Sequence, residues 1–423
     1  MSAQLVEQLD LNDLLYVQGT DASVAENRQL RKFYPEKNIF QNDEKILFRI
    51  HGRQFIDSKN SALRFKIVFT TTGNVKAGEA LYSGSIYNIF SRCRVISSTG
   101  KCISDLHNLN LWNRMCSRIY RGPLHNSQVA PIYGINGRVD GGSEDEWKNN
   151  TEYEFIIPLR FLSPFLDCPQ LVPPQIAENL QIELFLENTI RCGKTLTAGT
   201  ISKYEVINPE LILDTYLVTP AIDSAVMSMS NQKMVYEFYD WVQVEGNASV
   251  NSGEINLALT YPLSNCLECF TTIRKVSIVN DKNKDSFATK KIGLRANQIS
   301  QDDQFVMRVG QLQLPQQRCI GGPEIYNMLV NGRKQLESNV NLDFDLPRIR
   351  FEEVGGEEDT PWGVYFANLC RSNLFENSGR EVSNQQALVA QIKQAVPGND
   401  ILNMFAKYVA RVVIENNHLR IET

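Results

Sequence analysis

Residues 205–220 read EVINPELILDTYLVTP. Leu211, Leu213, Thr215 and Leu217 share one side of an extended chain, and Asp214 and Tyr216 take the other, because successive side chains of a strand point to opposite faces. Pro220 then removes a backbone donor. The next segment, AIDSAVMSMSNQ (221–232), holds small residues with no strand period, and strand character resumes at Met234. A strand that stops near the middle of 423 residues either belongs to one very large sheet system or closes a first domain. Single cores stop growing at about 250–300 residues, so the second reading is favoured.

The same period recurs upstream. In ALRFKIVFTT (62–71), Leu63, Phe65, Ile67 and Phe69 oppose Arg64, Lys66 and Thr70. In KILFRIHG (45–52), Ile46, Phe48 and Ile50 point inward; in ENLQIELFLEN (178–188), Leu180, Ile182, Leu184 and Leu186 do so. Each pattern demands a sheet with one buried face. YEFIIPLRF (153–161) is a further strand, and its Pro158 marks an edge or a bulge. Downstream, MVYEFYDWVQV (234–244), EINLALTY (254–261), KVSIVN (275–280) and QFVMRVGQLQL (304–314) read as strands. MFAKYVARVVIEN (404–416) closes the series, with Met404, Ala406, Tyr408, Ala410, Val412 and Ile414 on one face. Helices are expected only as excursions, over 105–120, over 323–332 behind Pro323, and over 383–396 between a Ser cap and Pro397-Gly398. The expected fold is all-β, with two tandem sandwiches and a few short helices in loops. The expected divisions are an N-terminal arm (1–40), a first sandwich (41–220), a linker (221–232) and a second sandwich (233–423).

A net charge of −5 argues against strong direct nucleic-acid binding, which needs a concentrated row of Lys and Arg. The most basic short patch, RQLRK (28–32), reads as a solvated loop or arm. No run of about 18 apolar residues exists. The stretch MSAQLVEQLDLNDLL sets Glu7, Asp10 and Asp13 among its leucines, unlike a secretory signal. Nine cysteines then read as free, mostly buried thiols of a chain folded in a reducing compartment.

Catalytic signatures are missing. His51, His107, His125 and His418 fall in no metal or serine-elbow arrangement. STGKC (98–102) and RCGKT (191–195) lack the upstream glycine of a phosphate loop and read as hairpin turns. Cys266 and Cys269 form a lone CxxC with no second pair at zinc spacing. The carboxylates at 144–146, 302–303 and 357–359 lie in turn segments and read as solvated loops. No enzyme activity, metal or cofactor is therefore expected. Leu5, Val6, Leu9, Leu14 and Leu15 could form an amphipathic stripe, packed on its own domain or docked on a neighbouring subunit or inner protein.

Three phrases, IIPLRFLSPFLDCPQLVP (156–173), ENLQIELFLEN (178–188) and YEVINPELILDTYLVTPAI (204–222), carry a resemblance. In this order they are similar to the strands that close the first jelly roll in double jelly-roll major capsid proteins of polinton-like viruses and virophages, and more distantly of the adenovirus hexon lineage. The resemblance implies two jelly rolls per chain and homotrimeric, pseudo-hexagonal capsomers tiling the icosahedral shell of a double-stranded DNA virus. It also implies contacts with penton and minor capsid proteins, and location in the virion. Stable homo-oligomers bury large apolar surfaces, and residues 234–244 offer one on each strand face. Met234, Tyr236, Phe238 and Val242 take the first face, and Val235, Tyr239 and Trp241 the second, expected against a neighbouring subunit or jelly roll. The alternative is a glycan- or receptor-binding sandwich, such as a lectin or spike, using aromatics among Trp112, Trp147, Trp241 and Trp362.

Overall fold

The computed structural model describes residues 25–72, 86–119, 150–192, 200–220, 223–226, 228, 233–251, 253–281, 286–287, 289–290, 303–321, 324–325, 327–329, 363–371, 378–394, 397–416 and 418–423. Nine strands precede residue 220: β1 (Ala25–Phe33), β2 (Ile39–Gln41), β3 (Lys45–Arg49), β4 (Phe55–Thr72), β5 (Phe90–Ile96), β6 (Cys102–His107), β7 (Glu152–Pro158), β8 (Gln181–Leu186) and β9 (Thr200–Val218). They form one sheet in the order β1-β9-β4-β7, with β2 also on β9, and a second in the order β3-β8-β5-β6. Ten more follow: β10 (Met234–Ala248), β11 (Ile255–Leu259), β12 (Leu263–Lys275), β13 (Gln304–Val309), β14 (Leu312–Ile320), β15 (Val364–Asn368), β16 (Arg380–Val382), β17 (Leu388–Lys393), β18 (Asp400–Glu415) and β19 (His418–Glu422). Their sheets run β10-β18-β12-β15, with β16 on β12 and β19 on β18, and β11-β17-β13-β14.

The four-strand paths of the second set repeat those of the first, while β2, β16 and β19 are additions to one set or the other. In each, the last long strand (β9 or β18) lies between the opening strand and the long strand β4 or β12. The short sheet begins with β3 in the first set and β11 in the second, and each ends with a hairpin, β5–β6 or β13–β14. This is the winding of a jelly roll, carried out twice along one chain. Among the described residues no strand of one set pairs with a strand of the other.

The alternating residues fill the cores as their spacing requires. Ile46, Phe48, Leu63, Phe65, Ile67, Phe69, Ile182 and Leu184 are all buried, and Phe65 meets Phe90 of the facing sheet edge-on at 5.7 Å. β7 is an edge strand and ends on Pro158. The Asn208-Pro209 pair in the opening stretch marks a bulge. Asn208 has φ +47°, and the pairing of β4 with β9 slips between Arg64 and Lys66.

Four local expectations fail. Residues 383–396 do not form a helix: β17 occupies their centre, with Leu388, Ala390 and Ile392 inward and Val389, Gln391 and Lys393 half-buried or exposed. The good helix formers Ala, Gln and Lys masked a period of two, which tertiary burial decided. Residues 276–279 are a helical turn rather than a strand. The stretch 304–314 is two strands around a turn at Gly310, whose φ is +58°. The basic patch 28–32 lies within β1, inside the stretch expected as an arm.

Candidate functional site

β10 is an edge strand, and the first sandwich covers it. Phe165, in the helical turn Pro164–Asp167, packs edge-on against Phe238 at 5.0 Å and tilts against Tyr236 at 5.8 Å. Trp112, on helix α1 (Leu109–Ile119), meets Trp241 edge-on at 6.2 Å, and Trp241 continues to Phe270 at 5.3 Å. Because β10 stands at the rim of its sheet, side chains from both its faces reach the neighbouring sandwich. The Cys168 thiol closes on the Glu237 carbonyl, and the Tyr236 hydroxyl donates to the Gln170 carbonyl at 3.3 Å.

A polar seam runs through this junction. Asp240 is fully enclosed and accepts hydrogen bonds from Ser104 Oγ of β6 at 2.9 Å and from Tyr408 Oη of β18 at 3.2 Å. Burial pushes its carboxyl up to about 7, although those two hydroxyls and the Trp241 N–H hold it down in part. Asn108 donates to Glu245 across the junction at 3.3 Å, and the Lys101 ammonium donates to the Leu419 carbonyl of β19. On the same face of the second sheet, Lys407 lies 3.3 Å from the fully buried Glu268. Burial opposes the charge on Lys407, and Glu268 overcomes it, leaving its pKa raised.

Among the described residues the equivalent edge of the first sandwich, β1, has no partner strand on its outer side. Its sheet presents a ladder of ion pairs instead. Arg28 holds Asp214 with bonds of 2.6 and 3.0 Å, Lys32 and Arg64 both hold Glu210 at 3.0 and 3.1 Å, Arg64 also reaches Glu154, and Lys66 reaches Glu152 at 2.9 Å. Burial raises the Glu210 pKa, but its two cations outweigh it and bring it below the usual carboxylate range. The basic patch is thus largely neutralised within its own sheet. Along the same edge Leu30, Tyr34, Ile39 and Leu217 stand exposed, Leu30 at 69%.

The residues singled out for chemistry stay apart. His51 lies 3.4 Å from Asn179, and His107 is lowered by burial beside Asp105. Cys266 and Cys269 are buried in β12, and burial pushes both thiols up. Among the described residues all nine cysteines are free, and no group of three or more His, Cys, Asp or Glu side chains could hold a metal. STGKC forms the β5–β6 turn, closed by the Gly100 N–H to the Ser97 carbonyl at 2.9 Å; residues 193–195 of RCGKT lie outside the described residues. So do His125, Trp147, Trp362, Asp302 and the carboxylates of 144–146 and 357–359.

Of the expected interface residues, Trp241 is 5% exposed and is used inside the chain, Val235 is half-buried, and Tyr239 is 38% exposed under the Lys407 ammonium at 4.8 Å. Leu5, Val6, Leu9, Leu14 and Leu15 lie outside the described residues. Sequence reading missed the partners Phe165 and Ser104 and the enclosed Asp240. An acid set directly between the aromatic residues Tyr239 and Trp241 was the available signal.

No family model matches this chain, and no curated protein matches it. Solved structures do. PBCV-1 VP54, as fitted into the virophage Sputnik, is similar with a TM-score of 0.62 at 10% identity, covering 96% of this chain and 99% of that one. A chain of the Sputnik virophage particle gives 0.60 at 10% identity over 96% and 90%. The Faustovirus major capsid protein gives 0.58 at 10% identity over 94% and 92%. The chain therefore has the double jelly-roll fold found in these viral proteins.

Proposed function

We propose that this chain is a major capsid protein that self-assembles into homotrimeric, pseudo-hexagonal capsomers of an icosahedral virion shell. The observation that carries the reading is the unequal treatment of two equivalent edges. β10 is covered by the first sandwich of its own chain, whereas β1, the same strand in the repeat, has no covering element among the described residues, where Leu30, Tyr34, Ile39 and Leu217 are exposed. A contact between unlike surfaces that repeats from unit to unit closes into a ring when the rotation allows. Three chains of two sandwiches each supply six such units. In this reading β1 of one copy meets the β14 side of the next, where Leu312 and Ile320 are exposed. Val235 and Tyr239 stand on β10, at the other edge of the second sandwich from β14, and in this reading border the junction with the first sandwich. The division into two sandwiches, with the first reaching back from 41–220 to include β1 and β2 and the second at 233–423, an arm contact through Leu5 to Leu15, and contacts with penton and minor capsid proteins belong to the same proposal, as does location in the virion.

Light scattering and negative-stain imaging of the purified full-length protein test it. The expected particle has three times the 48.0 kDa chain mass and a hexagonal outline. Leu30→Asp and Ile320→Asp are each expected to yield monomers with an unchanged melting temperature. A wild-type monomer at micromolar concentration, or trimers that survive both substitutions, sinks the reading.

A further inference from the structure

A cavity of about 680 Å³ opens at one end of the second sandwich, between the β13–β14 turn and the segment that leads into β17. It lies where β12 begins and β18 ends, opposite the long connections that leave β12 at Lys275 and β14 at Ile320. Arg371, Arg380, Glu381, Gln311, Asn384 and Gln386 provide its polar lining.

The two arginines are the unusual element. On β1 and β4, Arg28 and Arg64 are each matched to a carboxylate. Among the described residues Arg371 and Arg380 form no ion pair, and Arg380 Nε is buried with no acceptor. Burial first, and the Arg371 charge second, push the Arg380 pKa down. An oxyanion between them would relieve both the repulsion and the unmet donor, since a guanidinium fork matches carboxylate and phosphate geometry. The remaining groups suit hydroxyls: the amides of Gln311, Asn384 and Gln386 donate and accept, and Glu381 accepts. No aromatic ring lines the cavity among the described residues, so a nucleobase would find nothing to stack on.

We propose that this cavity binds an oxyanion carried on a polyhydroxylated framework, with Arg371 and Arg380 holding the oxyanion and Glu381 and the amides holding the hydroxyls. A sugar acid and a glycerol phosphate share this chemistry. The site does not depend on ring closure, because its lining comes from one chain.

Isothermal titration of the full-length protein at low salt, with its mass measured beforehand, tests the assignment. The probes are glycerol 3-phosphate, N-acetylneuraminic acid, inorganic phosphate and neutral glycerol. At least one organic anion is expected to bind roughly fivefold or more tightly than inorganic phosphate, with no heat from glycerol. The double variant Arg371→Gln/Arg380→Gln should weaken that binding about tenfold or more while keeping its melting temperature. Glu381→Gln should weaken the organic anions and leave inorganic phosphate unchanged. Preference for glycerol 3-phosphate assigns a phospholipid-type headgroup as the source, and preference for the sugar acid assigns a glycan. Binding of inorganic phosphate alone, binding unchanged in the double variant, or no heat from any anion overturns the proposal.

Discussion

β9 and β18 occupy the same place in the two sandwiches, and their outer faces have opposite fates. β9 presents Glu210 and Asp214, each held by cations from β1 or β4, on a face that water still reaches. β18 presents Phe405 and Lys407 beside Trp241, Phe270 and Glu268, and the helix α1 closes over the aromatic part. The backbone arrangement is shared, so position within the repeat does not decide which face is hidden. The neighbour decides it. Where another sandwich docks, aromatic rings fill the gap; where none does, paired charges keep the sheet wet and discourage edge-to-edge association of wrong partners.

The largest test of this contrast is Trp241→Ala. Removing a ring packed between Trp112 and Phe270 should cost about 3–5 kcal/mol, whereas Arg64→Ala on the charged face should cost no more than about 1 kcal/mol. Both are read by urea denaturation, and equal losses would break the comparison. Next comes Glu268→Ala, which strands the Lys407 ammonium on a mostly covered face. Because Lys407 is 27% exposed, the loss should sit near the low end for a broken buried pair, about 3 kcal/mol. The paired change Glu268→Leu/Lys407→Leu should recover most of it, and failure to recover would show that the pair does more than neutralise itself.

The junction also predicts a pH dependence opposite in sign to that of Glu210 on the charged face, whose contribution is lost as pH falls. Asp240 goes from an ordinary 3.8 to about 7 on burial, so the folded chain binds this proton more tightly than the unfolded one. Its contribution is therefore fully present below about pH 4 and is lost as pH rises towards 7, with a steepest slope on the order of 1.4 kcal/mol per pH unit. Asp105 lies near enough to reinforce the rise, and Ser104 and Tyr408 restrain it. Urea midpoints of Asp240→Asn measured from pH 4 to 7 should be flatter than those of the wild type; parallel curves would mean that Asp240 stays ionised. The smallest effect is Lys66→Ala. Its ammonium and that of its neighbours already lie in water, so the melting temperature should not move and added salt should not rescue anything.

Much of the fold was legible because burial and period agree where one face is wet. Leu63 to Phe69 and Ile182 to Leu186 could be placed by counting alone. β1 was not, because its outer positions 28, 30 and 32 read Arg-Leu-Lys and only Phe33 enters the core. An edge strand whose polar face is neutralised by a distant strand shows its reason only in pairing with residues some 180 positions away. β17 failed for the opposite reason: a short run of Ala, Gln and Lys satisfies helix propensity, and only contact with β11 and β13 makes it a strand. The assembly surfaces were half-legible. Aromatics on both faces of 234–244 announced a second contact, but not that Trp112 and Phe165 of the same chain would provide it.

The covered edge of β10 has a consequence for how the chain is made. β10 is complete at Ala248, but its pairing partner β18 ends at Glu415, which is 415 − 248 = 167 residues later. At roughly 5–20 residues per second, that is a wait of about ten to thirty seconds. During it Tyr236, Phe238 and Trp241 have no sheet to join. A first sandwich that has already closed on β9 offers Phe165 and Trp112 as a resting place, so the order of synthesis lets the finished half shield the unfinished one.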